Sequence, residues 1–335
     1  MQEARFYRKN GSAVNCRLCN RYCRIEEGKT GYCRVRKNVD GKLYSLVYGK
    51  TLTLSADPVE KKPLYNFMPG TFCNSISTHG CNFKCEFCQN HEISQDFTEK
   101  MIERTEITSP EDIVQNTLER GLSGIAYTYT EPTVFAEYAL DTMRLARKQG
   151  LYNVWVSNGY MSKEAAGEIA KNLDAINIDL KGSAGFYSTV CGGVDISRVK
   201  DSIKFFYKKG VHVEVTNLVV PEYNDSEQDF ERVTSFVASV DKRIPLHFSR
   251  FYPDYHMSSW SVTPVEKLLQ ARDIAKKKGL SYVYLGNFQE QQDTFCPKCE
   301  EKLIERHGYT TLVLGLDGKG NCAFCGAPTG IKQSL

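Results

Sequence analysis

Chemistry in this chain begins at Cys81-Asn82-Phe83-Lys84-Cys85-Glu86-Phe87-Cys88, a Cys-x3-Cys-x2-Cys run. Three thiolates on one loop can ligate three irons of a cubane and leave the fourth open. An open metal position is what catalysis needs, whereas a fully ligated site is structural or carries electrons. The same triad completed by His79 or His91 would instead make a four-ligand zinc site.

Two further groups hold most of the remaining cysteines. Cys296 and Cys299, with Cys322 and Cys325, are paired knuckles separated by a loop of zinc-ribbon length. Four thiolates in two such pairs favour closed, structural, tetrahedral Zn2+, and one iron in the same cage would carry electrons. Cys16, Cys19, Cys23 and Cys33 are spaced x2, x3 and x9, which suits a second Zn2+ site and an auxiliary Fe–S cluster equally. Arg17, Arg21, Arg24, Arg34 and Arg36 surround that group, either favouring a reduced cluster or making a plain basic surface. Cys73 reads as a small buried hydrophobe on a strand. Cys191, in a Gly-rich loop, reads as an inert side chain, with a redox or radical-relay role as the alternative.

The chain has 335 residues and 13 cysteines. It carries no apolar leader at MQEARFYRKN and no run of about 18 apolar residues. A cytoplasmic, non-membrane protein is expected, and in a reducing compartment tight cysteine clusters bind metal more often than they form disulfides. A formal net charge of +3 neither requires nor excludes an anionic partner. No basic–aromatic run accompanies the C-terminal knuckles, so nucleic-acid binding stays a secondary idea.

The elements that must position these residues follow from the apolar pattern. Candidate strands are 72–78, 124–130, 152–157, 175–180, 211–220, 246–251 and 282–285, with amphipathic stretches between them. Ser109-Pro110-Glu111-Asp112 opens one helix, and Arg147-Lys148-Gln149-Gly150 closes another. Near-continuously apolar strands alternating with helices predict an α/β fold, a partial or full (β/α) barrel with chemistry at the strands' C-terminal ends. Residues 42–48 alternate as a strand or hairpin, and 57–70, with three prolines, read as a loop. The expected division is a Cys-rich extension over 1–70, the barrel over 71–288 and a zinc-ribbon-like module over 289–335.

With Phe87 before its last cysteine, the triad resembles the radical SAM signature Cys-x3-Cys-x-aromatic-Cys. DPVEKKPLYNFMPG, GCNFKCEFCQN and HEIS further resemble the radical SAM member of the AmmeMemoRadiSam system, a group similar to pyruvate formate-lyase activating enzymes. The resemblance implies a [4Fe–4S] cluster on Cys81, Cys85 and Cys88, with S-adenosylmethionine (SAM) chelated to the open iron and cleaved reductively. It also implies an electron donor such as ferredoxin or flavodoxin.

Thr128-Tyr129-Thr130-Glu131-Pro132 stands where the superfamily has a Gly-Gly-Glu motif for the SAM ammonium. Both glycines are replaced, and Glu131 is the part that matters chemically; its alternative is a helix N-terminal acid. Asn158, in Ser157-Asn158-Gly159, is implied near the SAM ribose or carboxylate, with a simple Asn-Gly turn as the alternative. Asp179 and Lys181 resemble the Asp-x-Lys of activating enzymes near the reacting centre, or they simply close a barrel mouth. Val219, ahead of Val220-Pro221, and Gly286, beside Asn287, are implied along SAM. His247 and Arg250 are an odd number apart on one strand, so at most one faces inward. Three functions are compatible with these residues: hydrogen abstraction from a protein glycine, radical modification of RNA or a small molecule, and a non-catalytic zinc scaffold.

Overall fold

The structure, a computed structural model, describes residues 1–288 and 291–335. At its centre lies an eight-stranded sheet whose strands follow chain order. They are β1 (Thr53–Pro58), β2 (Phe72–Ser77), β3 (Gly124–Tyr127), β4 (Tyr152–Ser157), β5 (Ala175–Asp179), β6 (His212–Val219), β7 (Leu246–Arg250) and β8 (Val283–Gly286). β1 runs antiparallel to β2, and the pairs from β2 to β8 are parallel. Among the described residues β1 and β8 do not pair, so the partial barrel is the form adopted.

Every expected strand forms. β3 stops three residues early because Tyr129 takes φ +65 and Pro132–Phe135 winds into a 3-10 helix. β1 was not among the expected strands; it lies upstream of residue 71 and supplies one edge of the central sheet. The second boundary, 288/289, falls beside residues 289–290, which are outside the described residues.

Among the described residues, the helices that link the parallel strands include α1 (Pro110–Glu119), α2 (Ala136–Lys148), α3 (Lys163–Ile169), α4 (Ile196–Lys208), α5 (Glu227–Val240) and α6 (Val265–Lys277). α1 starts as its sequence requires. The Ser109 hydroxyl accepts from the Asp112 amide, the Asp112 side chain accepts in return, and Pro110 fills the first turn. α2 buries Ala139, Met143 and Ala146 against the sheet while its Arg147-Lys148 end faces solvent. Gly124 is required by close approach, since a methyl there would sit 2.0 Å from the Tyr152 ring.

The 57–70 segment does more than connect. It enters the concave face near the strands' N-terminal ends, where Val59, Leu64 and Phe67 pack on Cys73, Ala126, Tyr152 and Val154. Its backbone donors at Tyr65 and Asn66 reach the buried Glu214 carboxylate at 3.0 and 2.7 Å. Glu214 also accepts from His212 and His247, at 3.0 and 2.6 Å. Burial alone would raise its pKa, but the two histidines outweigh that and hold it down at about 2. His247 therefore faces inward, and Arg250 turns away to the Thr263 carbonyl.

The C-terminal module seals the same end. Arg306 donates to Tyr65 O at 2.7 Å, and Lys332 and Asn66 share a backbone bond of 2.9 Å. Its antiparallel sheet comprises β9 (Thr294–Phe295), β10 (Lys302–His307) and β11 (Thr310–Val313). The N-terminal segment adds two small antiparallel sheets, including the expected hairpin, Arg36–Val39 with Lys42–Ser45. Among the described residues no helix is long and apolar enough to cross a membrane.

Candidate active site

With one end of the barrel plugged, the strands' C-terminal ends surround a cavity of about 320 Å³. Cys81, Cys85 and Cys88 line it, from the loop leaving β2. That loop is held from two sides. Lys84 N and Glu86 N donate to the carbonyls of Cys191 and Val190, and Gln95 Nε2 donates to Cys85 O. Individual sulfurs are also oriented: Phe83 N donates to Cys81 Sγ at 3.4 Å, and Ser94 Oγ lies 3.3 Å from Cys88 Sγ. Phe87 lines the cavity too, its ring 5.8 Å from that of Phe186.

Glu131, at the end of the β3 turn, is buried and faces the same cavity. Its Oε1 accepts from Thr133 N (3.0 Å), Thr133 Oγ1 (2.5 Å) and Ser157 Oγ (2.8 Å). Among the described residues Oε2 accepts only from Asn158 N, at 2.8 Å, leaving lone-pair capacity. The bond from Thr133 N caps the 3-10 helix, so the helix-terminal reading holds as well. Burial pushes the carboxyl pKa up against these bonds, and a cation at Oε2 would favour the ionised form.

Asn158 couples this carboxylate to the cysteine loop. Its Nδ2 donates to Asn82 Oδ1 at 2.7 Å and lies 3.9 Å from Cys81 Sγ, while its Oδ1 accepts from Tyr160 N. Asp179 and Lys181 line the cavity from the end of β5, paired at 2.7 Å. Burial would lower the Lys181 pKa, yet Asp179 and the thiols of Cys85 and Cys191 hold it well above the ordinary value. Tyr187 fixes the turn between them, accepting from Lys181 N and donating to Asp179 O.

Two expected residues lie differently. Val219 is fully buried with its side chain on the face opposite Thr216 and Leu218, which line the cavity; alternation along β6 dictates this. Gly286 shares its face with the cavity-lining Ser249, 3.1 Å from where a methyl would stand, but its neighbour Asn287 supplies the wall.

The structure also adds residues that the motifs did not single out. Lys61 and Lys62 line the cavity and grip Asp57 at 2.8 and 2.9 Å, and the Tyr129 hydroxyl donates to Asp57 at 2.5 Å. Burial opposes the ionised form, yet these three groups hold the Asp57 carboxyl well below the usual range. The only signal in the sequence was an acid four and five residues ahead of a Lys-Lys pair. Cys191, whose Gly-rich loop carries the radical-relay role as its alternative reading, is buried beside Cys85 within hydrogen-bonding reach. Cys73 is the buried small side chain expected.

At the C-terminal module, Cys296, Cys299, Cys322 and Cys325 bring their sulfurs within 4.8 Å of one another. Cys296 to Cys325 is 3.7 Å and Cys299 to Cys322 is 3.6 Å. Around a tetrahedral ion with bonds of about 2.3 Å the sulfurs stand about 3.8 Å apart, so these four fit one metal ion of zinc's size. Among the described residues no cysteine is in a disulfide.

The triad has a different geometry: its three sulfurs are not all within 4.8 Å of one another, yet all three line one cavity. Thiols on separate corners facing an open space suit a cubane with one free corner better than a single ion.

Comparison with known proteins agrees with that chemistry. The model of the Radical SAM superfamily matches residues 75–237. Uncharacterized protein MJ0808 of Methanocaldococcus jannaschii is 44% identical over 331 residues, 97% of this chain and 98% of that protein. The pyruvate formate-lyase-activating enzyme of Clostridium pasteurianum is 22% identical over 167 residues, 48% of this chain and 67% of that one. Among solved structures, Streptococcus suis SuiB bound to S-adenosylmethionine aligns with a TM-score of 0.50 at 12% identity, over 69% of this chain and 53% of that one.

Proposed function

This chain belongs to the radical SAM superfamily, and from that premise we propose that Cys81, Cys85 and Cys88 hold a [4Fe–4S] cluster against SAM in the barrel cavity. The observation that carries the reading is the convergence of the three thiols, Glu131 and Asn158 on that one cavity. When bound, the cluster supplies an open iron and one electron for cleaving SAM to methionine and a 5′-deoxyadenosyl radical.

The residues of the chain provide the rest. Glu131 Oε2 receives the SAM ammonium as a charge-assisted acceptor. Asn158 keeps that carboxylate and Cys81 in register through its bonds to Asn82 and Glu131. The Asp179–Lys181 pair borders the space where hydrogen is abstracted, and Lys61 and Lys62, paired with Asp57, line the same cavity. The 57–70 plug and C-terminal module keep the far end of the barrel closed, which excludes water from that side. In this reading 71–288 generates the radical, while 1–70 and 289–335 support it.

The substrate we propose is a glycine residue of a partner protein, in keeping with the activating enzymes that the chain resembles. Anaerobically reconstituted protein given dithionite and SAM should release 5′-deoxyadenosine, and Cys85→Ala should abolish release. No cleavage from a fully loaded cluster would overturn the proposal. Deuterium transfer into 5′-deoxyadenosine from a glycine-labelled protein pool supports the protein substrate; transfer only from labelled metabolites or RNA removes it.

A further inference from the structure

We propose that the closed end of the barrel, opposite the thiol-lined cavity, is a binding face for single-stranded RNA. The helices that link parallel strands run back against them, so their C-terminal ends gather at this closed end. Four of those ends are basic. Arg147-Lys148 ends α2, Lys208-Lys209 ends α4, Lys242-Arg243 follows α5 and Lys276-Lys277-Lys278 ends α6. All of these side chains are exposed. The helix dipole favours a cation in each last turn, but the pairs and the triplet leave charge to spare. With a formal net charge of only +3 over the whole chain, that is a concentration of cations on one face.

The clusters join into one track. Arg147, Lys171, Lys209 and Lys332 line a cleft of about 270 Å³ at the ends of α2, α3 and α4. A second cleft, of about 290 Å³, shares Lys332 with the first and continues to Arg243. A methyl on Gly279 would stand 3.2 Å from Lys242 Nζ, which brings the α6 triplet up to Lys242. The acids beside the track are paired: Asp174 lies 3.9 Å from Arg147, Glu168 2.7 Å from Lys171 and Asp241 2.9 Å from Arg243. Among the described residues the other lysines of the track form no ion pair, so their charge faces solvent.

The C-terminal module supplies what favours RNA over an acidic protein. Its second knuckle abuts the track: the Thr329 hydroxyl donates to Gly320 O at 2.5 Å, and the next residue, Gly330, lines the second cleft. Phe324, at the tip of that knuckle between Cys322 and Cys325, is 59% exposed. A cationic track beside an exposed aromatic ring suits a chain of phosphates carrying stackable bases, whereas an acidic peptide uses the charge alone. No local run of sequence shows this pairing, because the cations come from separate helices far from the knuckles.

Binding at this face depends on neither the central cluster nor SAM, so its failure would leave the radical chemistry untouched. Fluorescence anisotropy of the full, metal-loaded chain with a labelled single-stranded RNA of mixed sequence should show affinity falling steeply with salt. The expected log–log slope is about −3 or steeper, as about five phosphate contacts give. Lys276→Glu/Lys277→Glu/Lys278→Glu should weaken binding at least about tenfold and flatten the slope by about 2. Phe324→Ala should weaken it about fivefold or more and leave the slope unchanged. Lys100→Glu/Arg104→Glu, on an exposed helix outside this face, should bind as the unmodified chain does. A slope shallower than about −1 in the unmodified chain would overturn the proposal without recourse to any variant. So would an equal loss in the Lys100/Arg104 variant or full affinity in Phe324→Ala. Polyglutamate bound as tightly as the RNA would overturn it in favour of an acidic protein.

Discussion

Replacing Glu137 by Ala should loosen the N-terminal cysteine region from the barrel. Arg36 and Glu137 face each other through two bonds, Nη1 to Oε2 at 2.8 Å and Nη2 to Oε1 at 2.9 Å. Their side chains are 2% and 1% exposed, so solvent screens neither charge. Glu137 lies in the first turn of α2, where the helix dipole favours it, and its Oε1 also accepts from Arg5 N at 3.0 Å. Its carboxyl is desolvated by burial, but Arg36 outweighs that and holds the pKa below the ordinary value. Truncating the acid strands a buried guanidinium, which costs about 3–5 kcal/mol. At about 1.4 kcal/mol per tenfold, protection of the hairpin amides should fall between about a hundredfold and a few thousandfold. Native-state hydrogen exchange at Asn38 N, which bonds Lys29 O at 3.0 Å, reads that change directly. Arg36→Met with Glu137→Leu should recover most of the loss, because no unpaired charge then remains. A loss under fivefold in Glu137→Ala, or a double variant as weak as the two singles combined, would refute the reasoning.

Three further outcomes follow from the same structure. Glu131→Gln should weaken SAM binding by equilibrium dialysis about tenfold to a hundredfold, the worth of a charge-assisted hydrogen bond, and undiminished affinity would remove Glu131 from the ammonium site. Glu214, held at about 2 against an ordinary 4.5, stabilises the fold above pH 4.5; that stability should drain as pH falls toward 2, and acid unfolding of Glu214→Gln should lose this component. Cobalt loaded at Cys296, Cys299, Cys322 and Cys325 should give tetrahedral d–d absorption that Cys322→Ser abolishes, and an octahedral spectrum would contradict the four-sulfur cage.

Much of the barrel was legible because parallel strands buried on both faces read as near-continuous apolar runs, and all seven expected strands formed. The capping box at Ser109 and the stop at Gly150 are local signals, complete within four residues of sequence. β1 escaped because Thr53–Pro58 is an edge strand with exposed alternate residues, and its proline argues against a strand. The 57–70 segment read as a loop on its prolines; its role as a plug depends on Glu214, about 150 residues away in the chain.

The sequence by itself determined the chemistry: the Cys-x3-Cys-x2-Cys spacing, Phe87 and Glu131 are short-range features that require no knowledge of the fold. Tertiary structure decided which groups share a wall. It faced Asn158 toward both Glu131 and Cys81, turned Val219 away from the cavity and brought Lys61 and Lys62 into its lining. It also drew the sulfurs of the C-terminal four within single-ion distance. Spacing sets which ligands are available, whereas sulfur-to-sulfur separation, which selects between one ion and a cluster, arises only once distant backbone segments pack against one another.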